Sequence, residues 1–330
     1  MRVVIIGGTG NISGAIVRRL LEQGHEVTCF HRGKSGALPA EVRQLQGDRS
    51  RREDFERRMQ AEKFDAAIDM ICFNREDALS SVRAFRGVSQ FVMCSTVCTY
   101  GVSYDWFPTT EDHPMNPITG YGRGKKDADA AFLEAYYREG FPVTIIKPST
   151  TYGPVMGLLR QVAWEFSWID RIRQGKPIIV CGDGNAMHQF LHVDDAAKGF
   201  AGALGKTHCV GQTYHLVNRG YVTWRAYHQS AMRVIGREVE MVGVPFDVIA
   251  KIQIPGSGIC GEIFSHHCCY SPEKLMRDVP EFRPSMSLED GMRQVLEVME
   301  RENRIPSAST NTWEDAVIEA QKRVGEIKLI

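Results

Sequence analysis

The chain has 330 residues, 43% of them hydrophobic, and its 40 basic residues balance its 40 acidic residues, so the formal net charge is zero. This length and composition allow one large buried core and a smaller lobe. The zero net charge excludes a strongly basic surface, and no apolar run approaches the length of a membrane span, so we expect no nucleic-acid partner and no membrane association.

The first predicted element is a short buried strand that leads into a glycine-rich turn. Residues 2–6 form an apolar, β-branched run, and Gly7 and Gly10 precede an apolar helical stripe over residues 15–21. A strand, a glycine turn and a helix in this order favour dinucleotide binding, because the helix N-terminus offers free N–H groups to a pyrophosphate. Ser13 stands where such turns usually have a third glycine, and it is small enough for close helix–strand packing.

The second predicted strand covers residues 26–30 and ends at His31 and Arg32. An acidic residue at this point would hydrogen-bond the ribose 2′-hydroxyl of NAD, whereas an arginine pairs with the 2′-phosphate of NADP. Arg32 therefore favours NADP as the cofactor, with NAD as the alternative. A second interpretation of Arg32 is that it stacks on the adenine ring.

Strand-like and helix-like segments alternate up to about residue 148. Further strands are predicted at residues 64–71 and 90–94, and crossover helices at 77–85 and 127–138. This alternation predicts an α/β fold with a doubly wound parallel sheet, the Rossmann architecture.

The alternation breaks after Pro154. A long helix is predicted at residues 156–173, a short strand at 177–180, and helices near 287–302 and 311–325, whereas residues 194–204 and 213–217 return to the main sheet. We therefore predict a dinucleotide-binding domain of residues 1–152 plus about 190–218. Residues 153–189 plus about 219–330 form a smaller, discontinuous substrate-binding lobe, and the substrate is expected in a cleft at the carboxyl ends of the strands.

Tyr121 and Lys125 are four residues apart on a predicted helix and so share one face. A nearby cation stabilises a phenolate, and a hydroxyl such as that of Thr96 could share the reacting proton. This trio is suited to removing a proton from an alcohol while a hydride leaves the same carbon.

Together these motifs resemble the extended short-chain dehydrogenases/reductases of the NAD-dependent epimerase/dehydratase family. The resemblance follows the chain in order through the Gly7-x-x-Gly10-x-x-Ser13 turn, Gly47-Asp48, residues 94–101, the Tyr121/Lys125 pair, residues 147–154 and 182–184, and residues 192–195. It implies that Tyr121 is the acid/base, that Lys125 holds the cofactor ribose and lowers the phenol pKa, and that Thr96 hydrogen-bonds the substrate oxygen. The residues predicted to bind the cofactor are Gly7, Gly10, Asn11, Ile12, His31, Arg32, Asp48, Met70, Ile71, Ser95, Tyr121, Lys125 and Pro148.

The chain departs from the family pattern at positions that bear on the reaction. Related dehydratases carry Asp-Glu where this chain has Val97-Cys98, so β-elimination is not expected. Cys98 is either a proton donor near the carbonyl α-carbon or a buried thiol, and Val155 stands where some relatives place its partner base.

Two further departures bear on the substrate. Nucleotide-sugar members carry an arginine in the segment where this chain has His188, and often an asparagine where it has Thr150. An imidazole is a weaker diphosphate ligand than an arginine. We therefore expect Thr150 and His188 to face a smaller polyol, sugar or glycoside.

The nine cysteines show no paired framework, and the first strand starts at residue 2, which leaves no room for a signal peptide. We therefore expect reduced thiols in a cytoplasmic protein. Residues 266–269, His-His-Cys-Cys, cannot all bind one ion if they lie on a strand, so no metal site is predicted.

The leading functional hypothesis is an NAD(P)-dependent oxidoreductase or epimerase that acts on a sugar through a transient keto intermediate. The alternatives are an NADPH-dependent reductase of a non-sugar ketone or aldehyde, and a non-catalytic RNA-associated scaffold like some members of a related branch. The resemblance also implies a homodimer built on residues 128–136; packing of this segment against a neighbouring helix is the alternative.

Overall fold

The computed structural model describes residues 1–34, 36–252 and 254–325. Within these ranges, no helix has both the length and the apolar character needed to cross a bilayer. The strands are β1 Arg2–Ile6, β2 Glu26–His31, β3 Arg43–Gln46, β4 Ala66–Asp69, β5 Gln90–Cys94, β6 Val143–Pro148, β7 Thr151–Tyr152, β8 Ile178–Cys181, β9 Met187–His188, β10 Leu191–His192, β11 Thr213–Leu216, β12 Val222–Thr223 and β13 Met241–Val244. The helices are α1 Asn11–Glu22, α2 Arg52–Gln60, α3 Arg75–Ala84, α4 Gly120–Glu139, α5 Ser167–Arg173, α6 Val193–Ala203, α7 Trp224–Ile235, α8 Phe246–Ile252, α9 Glu273–Asp278, α10 Leu288–Arg301 and α11 Trp313–Gly325.

The chain forms two compact units. The first contains Met1–Thr151, Leu191–Arg219 and Tyr270–Ser285, and the second contains Tyr152–Phe190, Gly220–Cys269 and residues from 286 onward. Residues 270–285, which were predicted in the second lobe, belong to the first unit. The reason is that Leu275, Met276 and Val279 pack into the core beneath its sheet.

The first unit is built on seven parallel strands in the order β11-β6-β5-β4-β1-β2-β3. Along β1, Val3 and Ile5 face the core formed with α1 and α6, whereas Val4 and Ile6 face the core formed with α2, α3 and α4. Successive side chains of a strand point to opposite faces, so a continuous apolar run buries both faces of the sheet. The predicted doubly wound parallel fold is confirmed.

The predicted dimer segment packs inside the first unit. Ala128, Ala131, Phe132 and Ala135 are all buried in the core that α4 shares with α3 and the sheet. The intramolecular alternative therefore accounts for these four residues, whereas Ala130 of the same segment is exposed, and the homodimer stays a prediction.

The second unit has a separate core around Trp168, Trp224 and Tyr227. The predicted long helix at residues 156–173 is wrong, since α5 covers only Ser167–Arg173. Gly157 has φ +88°, and the Gln161 side chain accepts a hydrogen bond from the Cys181 N–H at 2.9 Å, so the preceding residues follow an irregular path anchored by side chains. Trp164 lies in this segment with its side chain exposed.

Candidate active site

A cavity of about 540 Å³ opens in the first unit beside the carboxyl ends of β1, β2 and β4. In an open parallel sheet, ligands bind at the carboxyl ends of the strands, at the point where two neighbouring strands connect in opposite directions. The predicted cofactor residues that line the cavity are Gly7, Gly10, His31, Arg32, Asp48 and Ile71.

The glycine turn closes one side of this cavity. Gly7 has φ +86°, and a Cβ atom there would lie 2.7 Å from Ile71 Cγ2, so a side chain would be strained as well as crowded. The Gly10 N–H donates to Ser13 Oγ at 2.7 Å. Ser13 thus adds a hydrogen bond at the start of α1. The sequence predicted only that Ser13 is small enough for close packing there. Asn11 and Ile12 are half-buried at the start of the same helix.

The opposite part of the cavity carries charge. Asp48 accepts hydrogen bonds from the Ser50 N–H and hydroxyl at 2.9 and 2.8 Å, and these bonds lower the pKa of Asp48, with Arg32 and Arg51 acting in the same direction. Arg32 is exposed and lines the cavity beside this carboxylate. Lys34 and Arg52 also line it, although neither was anticipated from the sequence.

The His31 side chain hydrogen-bonds the turn that follows β2. Its Nδ1 accepts from the Gly33 N–H at 3.0 Å and its Nε2 lies 3.1 Å from Gln44 Oε1. Met70 does not line the cavity, because its side chain packs against the core beside α1.

A buried ion pair supports the wall formed by β4. Arg49 Nη1 donates to Asp69 Oδ2 at 2.5 Å, and Arg49 Nη2 donates to Ser81 Oγ at 2.8 Å. The second oxygen of Asp69 accepts from the Ile71 N–H at 3.0 Å, so the pair holds the backbone at the cavity wall. Sequence reasoning missed this pair because its members are separated by twenty positions and neither belongs to a motif.

The predicted catalytic residues gather around the start of α4. Thr119 caps this helix by accepting from the Gly122 N–H at 2.9 Å, which places Tyr121 in the first turn. Lys125 is buried, and its Nζ donates to the Cys94 carbonyl at 2.6 Å and lies 5.8 Å from the Tyr121 ring centroid. The Thr96 side chain is near enough to the Tyr121 phenol to lower the pKa of that phenol, so the structure brings the trio together.

Two glycines between Tyr121 and Lys125 permit this arrangement. A Cβ atom on Gly122 would lie 2.5 Å from the Cys98 carbonyl oxygen, and one on Gly124 would lie 2.3 Å from the Phe73 carbonyl oxygen. Both neighbours are backbone atoms, which cannot move aside as a flexible side chain can. The first turn of α4 therefore fits between the turn at Val97–Thr99 and the loop after β4 only because both residues lack side chains.

Burial raises the pKa of the Tyr121 phenol above its usual range, and the nearby Cys94 and Cys98 act in the same direction. The hydrogen bond with Thr96 opposes this shift but is smaller. Tyr121 as a whole is 47% exposed, so solvent reaches part of this residue. A lowering of the phenol pKa by Lys125 was expected from the sequence; in this structure burial has the larger effect.

Ser95 has a different neighbour from the one predicted. Its hydroxyl donates to Asp129 Oδ2 at 2.9 Å, and the same oxygen accepts from Lys147 Nζ at 2.5 Å. Ser95 thus directs its hydroxyl into a buried network, in place of the expected contact with a cofactor. Pro148 is buried at the end of β6, where it pairs in register with Leu216 of β11.

The two predicted substrate residues lie in different units. Thr150, in the first unit, is half-buried, and its carbonyl accepts from the Leu191 N–H at 3.0 Å. His188, in the second unit, has 0% exposure, and its Nε2 lies 3.1 Å from the His266 carbonyl oxygen among the rings of Phe190, Trp224 and Phe264. Burial lowers the pKa of His188 to about 3, so the imidazole is neutral. This environment favours a packing role over the predicted contact with substrate.

Cys98 is partly exposed beside the trio, and its N–H donates to Thr96 Oγ1 at 3.2 Å. Residues 266–269 lie in a segment outside any strand, contrary to the expectation. Across the described ranges, no three His, Cys, Asp or Glu side chains converge as a metal site would require.

The chain is similar in sequence to a known protein family and to characterised members of it. Residues 3–216 match the model of the NAD dependent epimerase/dehydratase family. The chain is 30% identical over 252 residues to 2′-dehydrokanamycin reductase of Streptomyces kanamyceticus, covering 76% of this chain and 71% of that protein. It is 28% identical over 237 residues to a chloroplast stem-loop binding protein of 41 kDa from Arabidopsis thaliana, covering 68% of this chain and 60% of that protein.

The fold is similar to that of UDP-glucose 4-epimerase from Thermotoga maritima, with a TM-score of 0.74 at 20% identity over 92% of this chain and 100% of that one. The motifs in the sequence, the parallel sheet with its glycine turn and the match over most of the chain agree with one another. The predicted family is confirmed: the chain belongs to the NAD dependent epimerase/dehydratase family of extended short-chain dehydrogenases/reductases.

Proposed function

We propose that this enzyme is an NAD(P)-dependent oxidoreductase that interconverts a hydroxyl and a keto group on a sugar or glycoside, with Tyr121 exchanging the proton. The observation that carries the proposal is the trio at the start of α4. Thr96 is near enough to the Tyr121 phenol to lower its pKa, and the buried Lys125 ammonium lies 5.8 Å from the centroid of the same ring. A hydroxyl pair and a cation in this arrangement suit proton transfer to or from a substrate oxygen.

The residues of the cavity fit a nicotinamide dinucleotide, which when bound would supply or accept the hydride. Gly7, Gly10 and the backbone at the start of α1 would hold its pyrophosphate. Lys125 would hold its ribose. Arg32, with Lys34 nearby, offers positive charge to the 2′-phosphate that distinguishes NADP.

The raised pKa of Tyr121 determines which form of the phenol is present at neutral pH. A phenol whose pKa lies above its ordinary value near 10 stays protonated through neutral and mildly alkaline pH. A protonated phenol can donate to the oxygen of a ketone, whereas alcohol oxidation needs the phenolate, whose population rises only as the pH approaches the phenol pKa. We therefore expect the rate of alcohol oxidation to rise with pH, whereas ketone reduction should not need an alkaline pH.

The substrate class follows from the relatives and from the departures in the sequence. The 30% identical relative from Streptomyces kanamyceticus is, by its name, a reductase of a keto derivative of a glycoside. This chain has Val97-Cys98 where dehydratases carry two acids, and His188 is enclosed by aromatic rings. A keto-sugar or keto-glycoside without a diphosphate is the substrate we propose.

The experiment that tests this function begins with mass spectrometry of any cofactor retained by the purified protein. Oxidised sugars and glycosides, nucleotide sugars and simple aldehydes are then supplied with NADPH or NADH while the nicotinamide absorbance is followed. Turnover confined to carbohydrate ketones supports the proposal. Turnover confined to non-sugar carbonyls contradicts the substrate class, and redox-neutral conversion of a nucleotide sugar would identify an epimerase instead.

Cofactor choice provides a separate prediction. NADP(H) should bind more tightly than NAD(H), and Arg32→Ala should remove most of the difference, about 1.5–3 kcal/mol for a charge-assisted contact. Arg51 is the matched control, because it is also a nearby arginine but does not line the cavity, so Arg51→Ala should keep the preference. Titration of both cofactors by nicotinamide fluorescence measures this; equal affinities in the wild-type protein would contradict it.

The role of Cys98 is tested by isotope exchange. Without a second acid near Val97-Cys98, the site lacks the groups for removing a proton next to the ketone. We expect product formed in heavy water to carry no deuterium at the adjacent carbon, and Cys98→Ser to lose little rate. Deuterium incorporation that disappears in Cys98→Ser would make this thiol a catalytic acid/base.

A further inference from the structure

Lys125 carries a charge in a place with little water. Its side chain is 1% exposed, and its Nζ donates to the Cys94 carbonyl at 2.6 Å. Asp129, one turn further along α4, is paired with Lys147 and so is engaged elsewhere. A buried ammonium has three donors and needs further partners for its charge.

Phe73 provides such a partner. The Lys125 Nζ lies 4.9 Å from the Phe73 ring centroid, closer than its 5.8 Å from the Tyr121 ring centroid. The centroids of Phe73 and Tyr121 are 6.3 Å apart with 52° between their planes. The ammonium is therefore bordered by two aromatic rings and a carbonyl oxygen, and the ring faces attract it.

The Phe73 backbone is held in place on both sides. Its N–H donates to Asp77 Oδ2 at 3.1 Å, and its carbonyl oxygen is the atom that Gly124 approaches too closely to allow a side chain. The ring is nevertheless 47% exposed and lines the cofactor cavity. Burial of its own surface does not explain why a half-exposed apolar ring lies at this position. The contact of the Phe73 ring with the Lys125 ammonium does explain it.

We propose that Phe73 is a positioning residue for Lys125. Its ring covers part of the ammonium and keeps Nζ against the Cys94 carbonyl, beside the Tyr121 ring. This inference rests on the proposed function insofar as Lys125 holds the cofactor ribose. The shielding itself is a property of the protein without ligand.

The first test needs neither cofactor nor substrate. Lysines of the free protein are reductively methylated with formaldehyde, and the rate at each lysine is followed by mass spectrometry. In Phe73→Leu we expect Lys125 to react about 3- to 30-fold faster than in the wild type, the range that loss of a cation–π contact allows. Phe73→Tyr keeps the ring face and should restore the slow rate.

The adjacent Lys126 is an internal control, because its Nζ donates to the Met115 carbonyl at 2.8 Å and contacts neither ring. Its rate should be the same in all three proteins, and thermal unfolding confirms that Phe73→Leu is folded. An unchanged Lys125 rate in folded Phe73→Leu would overturn the proposal.

The second test is a double-mutant cycle on cofactor affinity. Phe73→Leu should weaken cofactor binding about 3- to 30-fold when Lys125 is present. It should change binding less than about twofold in a Lys125→Met background, because the group through which it acts is gone.

Two outcomes of this cycle would overturn the proposal. Equal losses of affinity in both backgrounds would show that Phe73 contacts the cofactor directly. No loss in either background would show that Phe73 contributes nothing to cofactor binding. A wild-type protein that bound no nicotinamide cofactor would contradict the proposed function, and the methylation rates would then decide the present inference alone.

Discussion

Tyr121→Phe should reduce turnover by about 10²–10⁴-fold, the usual contribution of a positioned acid or base. The substitution keeps the ring that, together with Phe73, borders the Lys125 ammonium, and it removes only the hydroxyl. Thr96 is a poor replacement for the phenol as a proton donor, because an aliphatic hydroxyl is a much weaker acid than a phenol. Cofactor affinity should stay within about twofold, because the substitution keeps the ring and leaves Lys125 in place to hold the ribose.

Tyr137→Phe is the matched control, since Tyr137 lies on the same helix with 78% exposure and outside the catalytic trio. It should have wild-type turnover. Lys125→Ala should damage both cofactor binding and rate, because the ammonium lies beside the phenol and is assigned to the ribose. The assignment of Tyr121 fails if Tyr121→Phe keeps more than about a tenth of the activity in steady-state assays.

The second large effect concerns the stability of the first unit. Lys147→Met should lower the free energy of unfolding by about 3–5 kcal/mol, because it leaves the Asp129 carboxylate buried without its cation. The pair is 2% exposed on both sides, at a distance of 2.5 Å. The other Asp129 oxygen, Oδ1, has no hydrogen-bond partner within the described residues, so Ser95 alone would remain to stabilise the charge. Urea unfolding, with the slope of the transition checked for constancy, measures the loss.

A surface ion pair is the control that shows whether burial of the Lys147–Asp129 pair, and not pairing alone, causes the loss of stability. Arg75 and Glu134 are 2.8 Å apart, but their side chains are 45% and 36% exposed. Arg75→Met should cost at most about 1 kcal/mol. The double variant Asp129→Asn/Lys147→Met should recover part of the stability lost in Lys147→Met, because no unpaired charge remains. A loss below about 1 kcal/mol in Lys147→Met would show that the buried pair contributes no more than a surface pair.

Several parts of the site could be predicted from the sequence because each rests on residues close together in the chain. The glycine turn follows from a strand, Gly7, Gly10 and a helix in succession, and the Tyr121/Lys125 pair follows from the period of one helix. The central strands follow from apolar runs such as residues 3–6, since both faces of the sheet are buried. In each case the chemical role depends on a local backbone geometry that a few neighbouring residues determine.

Other features could not be predicted because they join residues from different elements. Arg49 meets Asp69, Lys147 meets Asp129, and Phe73 covers Lys125 only when the segments after β3 and β4, strands β4 and β6, and helix α4 come together. The direction of the Tyr121 pKa shift belongs to this group too. A cation four residues away predicts a lower pKa, but the degree of burial that outweighs it exists only in the folded chain.

The same distinction explains the predictions that the structure corrected. A helical pattern of apolar residues at 156–166 was overridden by Gly157 and by side-chain hydrogen bonds to distant strands. His188 was expected at a ligand and is enclosed by aromatic rings from three separate segments. The sequence by itself determined the family, the parallel sheet and the reactive pair, because periodicity and short-range spacing encode them. The tertiary structure alone decided which charges are paired, which side chains are exposed and how strongly each titratable group holds its proton, because these depend on neighbours that are distant in the chain.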